Sequence, residues 1–218
     1  MRITKPILVL DVDGVLIDAS QTYLAATEEL VGMFSDLDFD AETQIKFRNR
    51  HSGANNDDVL TAQLFLDANG FKCNYSDLDR EFNRILPHMM DKEVWLPRPG
   101  LLEELAQRFQ LAIWTGRPVR DLIRSFERFD CRYWFNPVVT CETPMPKKPR
   151  PHVLQAMNTY AEIAAYVGDM ADDQAAADMA GVPFIGVGKN LPSLGSGPRW
   201  RIDTINDLPS CFSKTAQI

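Results

Sequence analysis

The sequence predicts an α/β protein: a doubly wound, mostly parallel, Rossmann-like sheet with an α-helical domain inserted into it. Three observations carry this reading. Short apolar runs recur along the chain, and most are followed by a turn signal and a segment of helical periodicity, the pattern of parallel strands joined by crossover helices. One long stretch, from about Asp18 to Asp91, breaks that alternation and holds amphipathic segments without a convincing strand. At 218 residues and 45% hydrophobic composition, the chain can bury the core such a sheet needs and still accommodate a large insertion.

The elements follow in order. "ILVL" at Ile7 is a first strand, apolar throughout as a central parallel strand requires. The insertion then offers four helical segments, "QTYLAATEELVGMF", "AETQIKFRNR", "DDVLTAQLFLDANG" and "SDLDREFNRILPHMM". These divide the chain into a core domain of residues 1–17 and 93–218 and a helical cap domain of residues 18–92. In "RPGLLEELAQRF", Leu101, Leu102, Leu105 and Phe109 line one helical face after Pro99 and Gly100. "LAIW" at Leu111 is the next strand. In "TGRPVRDLIRSFERF", Pro118 suits the first helical turn and Val119, Leu122, Ile123 and Phe126 predict the buried face. "PVVTC" at Pro137, "AAYVG" at Ala164 and "PFIGVG" at Pro183 complete the strands, and the Gly/Ser/Pro-rich "LPSLGSGPRW" near Leu191 reads as a surface loop.

Composition narrows the function. With 23 basic against 30 acidic residues the formal net charge is -7, which argues against a nucleic-acid or anionic-membrane partner. Cys73, Cys131, Cys141 and Cys211 lie far apart, without zinc-ligand spacing, and read as buried thiols in a reducing compartment. The first apolar run is interrupted at Asp11, too soon for a signal-peptide core, and no stretch approaches the length of a membrane span. A cytoplasmic protein is expected; the oligomeric state is not legible.

Four strand ends carry chemistry. In "ILVLDVDGVLID", residues i and i+2 of an extended strand project to one side, so Asp11 and Asp13 share a face while Val12 turns into packing. Gly14 permits a sharp exit and a close approach to a ligand. Alone, an Asp-x-Asp pair is as well explained by a helix cap or a solvated turn. "AIWTGR" ends a second strand with Thr115 and Gly116, a hydroxyl and an amide able to donate to a phosphate oxygen, though the same letters also make an ordinary strand-to-helix turn. "MPKKPRP" puts Lys147 and Lys148 in a proline-stiffened loop, and "AAYVGDMADD" clusters Asp169 and Asp173 where carboxylates can hold a hard divalent cation.

Taken together and in this order, the four clusters resemble the haloacid dehalogenase superfamily, in its phosphatase-like members with a helical cap inserted after the first motif. The motifs stand here as Asp11-Val12-Asp13-Gly14-Val15, Thr115, Lys148 in Lys-Pro-x-Pro, and Gly168-Asp169 with Asp173 four residues on. The resemblance implies an aspartyl-phosphate on Asp11 and general acid–base work by Asp13. It further implies that Thr115 and Lys148 hold the transferring group. Mg2+ would be held by Asp11, Asp169 and the backbone carbonyl of Asp13, with Asp173 outside or through water. The implied partner is a small phosphorylated metabolite; Gly116 and Arg117 are candidates to contact it, with projection into solvent the alternative for Arg117.

Residue identities separate the family's reactions. Asp13 disfavours dehalogenation and phosphonate cleavage. Val15 is similar to the sugar-phosphate mutases, but those commonly carry a histidine shortly after the first motif, and here none falls between Asp18 and Arg50, with Tyr23 instead. A phosphatase is expected, with a phosphosugar mutase or a catalytically silent phosphometabolite-binding module as the alternatives. In the insertion, "HSGANNDDVL" offers Asn55 and Asn56 as substrate-binding candidates, against the plainer reading that Asn56 or Asp57 caps the following helix. His51 reads as a surface residue, and Met89 and Met90 as packing against the core domain.

Overall fold

The protein's structure, a computed structural model, describes residues 5–48, 50–51, 57–188 and 200–213. The chain forms two compact units, one of Met1–Ile17 with Trp95–Ile218 and one of Asp18–Val94. Among the described residues no helix is long and apolar enough to cross a membrane.

The first unit is a six-stranded sheet. Strand β1 (Ile7–Leu10) is buried along its whole length. The two-residue strands β2 (Ile17–Asp18) and β3 (Val94–Trp95) pair with each other where the chain leaves and re-enters this unit. The remaining strands are β4 (Gln110–Trp114), β5 (Phe135–Val139), β6 (Ile163–Gly168), β7 (Phe184–Val187) and β8 (Trp200–Ile202). Their order is β5-β4-β1-β6-β7-β8, and every pair is parallel. From β1 the chain builds β4 and β5 to one side, then crosses back to lay β6 on the other. That reversal places the C-terminal ends of β1, β4 and β6 together, the position where open α/β sheets bind ligands.

The two-residue period of β1 decides the layers. Leu8 and Leu10 join one apolar cluster and Ile7 and Val9 the other, so each face of the strand is packed. The first cluster takes in Leu101, Leu102 and Leu105 of α5 (Leu101–Arg108), Leu122 and Phe126 of α6 (Val119–Arg128), and Leu208 and Cys211 of α9 (Leu208–Ser213). The second takes in Val153, Leu154 and Met157 of α7 (His152–Asn158) and Ala176 and Ala177 of α8 (Ala171–Ala180).

Two sequence expectations shift in this unit. The segment read as a loop near Leu191 falls largely in residues 189–199, outside the described residues, but its last residue, Trp200, opens β8 at the sheet edge. In α6, Val119 and Ile123 are exposed while Asp121 and Ser125 are buried beside Leu122 and Phe126. The helix is thus turned about its axis from the face an apolar count selects, and Ser125 gains a polar partner described below.

The second unit is helical. A π-helical turn (Ser20–Leu24) leads into α1 (Ala25–Phe34), followed by α2 (Ala41–Arg48), α3 (Asp58–Ala68) and α4 (Tyr75–Ile85). Leu30, Leu66, Leu78 and Phe82 form the centre of its own core. Helix α2 has little apolar face and is tied in by buried Gln44, whose amide donates to the carbonyls of Leu24 (2.7 Å) and Phe39 (2.9 Å). Asp57 is the N-cap of α3, accepting from the Leu60 amide at 2.9 Å. Met90, buried, and Met89, partly buried, belong to this unit's core, which corrects the expectation that both pack against the sheet domain.

Leu8 has no exposed surface. Replacing it by alanine removes buried carbon between β1 and its covering helices, and denaturant unfolding is expected to show a loss of about 2–5 kcal/mol.

Candidate active site

The site begins where β1 stops. The Asp11 amide donates to the Val167 carbonyl of β6 at 2.9 Å, so the carboxyl is delivered at the sheet's end with its backbone still tied to the neighbouring strand. Val12 then enters the apolar core, and its carbonyl accepts from the amides of Val15, Leu16 and Ile17, which closes the exit into a tight loop. Gly14 in that loop has φ +70, and a Cβ there would lie 2.1 Å from Asp169 Oδ2. Glycine is therefore required twice over, for the left-handed backbone and for the approach of the acid.

Asp11, Asp169 and Asp173 each offer a carboxylate oxygen to a group whose atoms lie within 4.8 Å of one another. Asp173 is held from several sides. Its Oδ1 accepts from the Tyr166 hydroxyl at 2.7 Å, its Oδ2 from the Met170 amide at 3.1 Å, and Lys148 Nζ lies 2.7 Å from Oδ1. Gly168 lets it sit there, because a Cβ on that residue would come within 2.6 Å of the Asp173 side chain.

Lys148 is buried, and its Nζ lies 3.1 Å from Asp11 Oδ1 as well. The ammonium stands 5.5 Å from the ring centroids of both Trp114 and Tyr166, an aromatic floor that supports a cation from beneath. Its contacts with the two acids are ion pairs by distance. Beyond these ion pairs, Asp11 Oδ1 and Lys148 Nζ are buried with no other side-chain or backbone hydrogen-bond partner among the described residues.

Such crowding of charge shows in the ionisation of these groups. Burial raises the Asp11 carboxyl, Lys148 lowers it, and the Asp173 and Asp13 carboxylates raise it again, leaving it at about 7 against an ordinary 3.8. Asp169 keeps part of its surface open, yet burial of its carboxyl and the charges of Asp173, Asp11 and Asp13 hold it well above the usual range. Burial pulls Lys148 down, and the Asp11 and Asp173 carboxylates outweigh it to hold the ammonium above its ordinary value.

Thr115 follows β4 and is buried, its amide donating to the Val139 carbonyl at 3.0 Å and its Oγ1 accepting from the Arg117 amide at 3.2 Å. Gly116 is partly exposed and Lys147 exposed. Asp13 retains 36% side-chain exposure and is gripped by Arg117, with Nη2 to Oδ1 at 2.6 Å and Nε to Oδ2 at 2.9 Å. Read from sequence as a substrate contact, Arg117 instead has its guanidinium turned inward, its side chain only 1% exposed. Asn55 and Asn56 lie outside the described residues, and exposed His51 stacks on Phe47.

The structure thus gathers Asp11, Asp13, Thr115, Arg117 and Asp169 from the ends of β1, β4 and β6, Lys148 from a loop and Asp173 from the first turn of α8. Sequence reading passed over Ser125 and Tyr166. Tyr166, one hydroxyl in the otherwise apolar "AAYVG", left a faint signal; Ser125 left none, since it falls off the apolar face read for its helix.

A doubly wound sheet with acids and a buried lysine gathered at the C-terminal end of its strands places a charged ligand site where such sheets bind ligands. The chain belongs to the haloacid dehalogenase-like hydrolase family, whose model matches residues 8–187. It is 23% identical to phosphoglycolate phosphatase 1 of Pseudomonas aeruginosa, over 97% of this chain and 81% of that one. Among solved structures, a predicted phosphoglycolate phosphatase from Haemophilus somnus 129pt shares the fold at TM-score 0.77 and 19% identity, over 95% of this chain and 97% of that one. CbbY from Rhodobacter sphaeroides, in complex with phosphate, does so at TM-score 0.72 and 18% identity, over 94% and 96%.

The raised Asp11 and Asp169 carboxyls bind more protons in the folded protein than in the unfolded chain. Metal-free stability should therefore fall as pH rises from the ordinary carboxyl range, near 3.8, through about 7. Asp169→Asn replaces a crowded, ionisable carboxyl by a neutral amide with little change in shape. At pH 8 with chelator it is expected to raise the melting temperature, by about 2–4 °C for each kcal/mol relieved. A lowered value would contradict the charge crowding. Gly14→Ala is expected to destabilise the fold by about 1–3 kcal/mol in denaturant unfolding, from backbone strain and displacement of Asp169.

Proposed function

We propose that this chain is a magnesium-dependent phosphohydrolase that cleaves a small phosphate monoester through an aspartyl-phosphate on Asp11. The observation that carries the reading is the buried Asp11 carboxylate, set between an acid cluster and a fixed lysine 3.1 Å from its Oδ1.

The residues present fit a divalent cation. Four carboxylates, Asp11, Asp13, Asp169 and Asp173, face two fixed cations, Lys148 and Arg117, leaving two negative charges in excess when all are ionised. All the donors are oxygens, as magnesium prefers. Asp11, Asp169 and Asp173, with the backbone carbonyl of Asp13, would hold the ion. When bound, magnesium supplies neutralising charge to the phosphoryl oxygens and favours ionised carboxylates.

A carboxylate oxygen of Asp11 attacks phosphorus as the bond to the ester oxygen breaks, and Asp13, entering the step protonated, gives that oxygen its proton. Asp13 then takes a proton from the water that attacks the aspartyl-phosphate, which releases inorganic phosphate and restores Asp11. Lys148 steadies the transferring group and Thr115 donates to it, a contribution typically worth a few kcal/mol for each well-placed donor. Similarity to a protein named phosphoglycolate phosphatase, and to one crystallised with phosphate, supports a small phosphorylated acid or sugar as the substrate class.

Wild-type protein is expected to release inorganic phosphate from a panel of small phosphate esters with magnesium and to stop when chelator is added. Asp11→Asn should reduce release to background while circular dichroism reports an intact fold. Rapid interconversion of sugar-phosphate isomers without phosphate release would instead mark a mutase.

A further inference from the structure

Arg117 is among the largest fully buried side chains of the described residues, and a buried guanidinium needs a reason to be there. Its planar fork meets the Asp13 carboxylate through Nη2 at 2.6 Å and through Nε at 2.9 and 3.1 Å. On the opposite side Nη1 donates to Ser125 Oγ at 2.8 Å. Ser125 is itself fixed, because its hydroxyl donates to the Asp121 carbonyl one turn earlier at 3.1 Å and so offers Arg117 a lone pair. The Arg117 backbone is pinned as well, its amide to Thr115 Oγ1 at 3.2 Å and its carbonyl accepting from the Cys141 amide at 3.3 Å. This chain of contacts also accounts for the rotation of α6, which buries Asp121 and Ser125 and exposes Val119 and Ile123.

From this arrangement we infer that Arg117 is a positioning residue for Asp13. The inference rests on the phosphatase reading above and adds to it the device that aims the acid–base group. Asp13 follows the end of β1 and keeps 36% of its side chain exposed, so packing alone does not fix its carboxylate plane. A two-point grip by a planar guanidinium does fix it, and leaves the open side of the carboxylate for the leaving oxygen. With only 1% of its own side chain exposed, Arg117 acts through Asp13 rather than on substrate.

A group that positions the acid matters in proportion to how much proton the leaving oxygen needs. An alkyl phosphate expels a strongly basic alkoxide and depends on Asp13, whereas 4-nitrophenyl phosphate expels a weakly basic phenolate and depends on it far less. The test compares Arg117→Lys, Arg117→Met and Ser125→Ala with wild type and Asp13→Asn. It measures the rate of Asp11 phosphorylation from each substrate by rapid mixing, with melting temperatures recorded in parallel. Arg117→Lys and Arg117→Met are expected to lose about 10–100-fold more rate on the alkyl ester than on the nitrophenyl ester, part of the roughly 100–10,000-fold that a general acid supplies.

Ser125→Ala should shift the same ratio in the same direction by a smaller factor, and it keeps the question open to decision should the arginine variants fail to fold. Adding Asp13→Asn to Arg117→Met should bring little further loss, as expected of residues that act as a unit. Equal losses on both esters, or a raised KM with unchanged kcat, would overturn the assignment while leaving the phosphatase reading intact. Failure of the wild type to turn over either ester would remove that reading, and this role for Arg117 with it.

Discussion

Charge placed where a sheet ends is the constraint on which the rest of this structure depends. Four carboxylates and two cations are drawn together at the ends of β1, β4 and β6 and in the Lys148 loop, in surroundings dry enough to lift Asp11 to about 7. Carboxylates so close repel one another, and burial sharpens the repulsion. A fold tolerates that only when the scaffold is rigid and the charges have partners. Here the rigid part is a parallel sheet packed on both faces, and the partners are Lys148 and Arg117, each buried by its own set of contacts.

The two cations divide the acids between them. Lys148, standing over Trp114 and Tyr166, pairs with Asp11 and Asp173. Arg117, backed by Ser125, pairs with Asp13. The division matches the difference in chemistry. A flexible ammonium can serve a nucleophile and a phosphoryl group as a point charge, while a planar guanidinium can hold one carboxylate in one orientation. Glycines occupy the two places where acids come closest to backbone, Gly14 against Asp169 and Gly168 against Asp173, so the cluster depends as much on absent side chains as on present ones.

Much of the fold was legible because its signals are local. The buried runs at Ile7, Leu111 and Ala164, the amphipathic face of Leu101, Leu102 and Leu105, and the strand-free stretch after Asp18 each need only a short window to read. β8 was not, since the three residues from Trp200 to Ile202 make too short a strand to stand out beside a glycine-rich segment. The strand-end acids could be collected from the sequence because their order matched a known set of motifs. The direction of Arg117 could not, because its partner Asp13 lies 104 positions away and its support Ser125 sits where an apolar count expects no contact. The misread face of α6 has the same cause: a polar tether overrode hydrophobic periodicity beside the site, where such departures concentrate.

The central claim is that the Asp11 carboxylate, paired with Lys148, is the group that takes up phosphorus. Wild-type protein mixed with a radiolabelled phosphate ester and magnesium, quenched in acid within the first turnover and digested, tests it most directly. The label is predicted on the peptide that carries Asp11, in a form released by hydroxylamine as an acyl phosphate is. Label on a serine, threonine or histidine peptide, or steady phosphate release with no labelled protein at any time, would contradict the account.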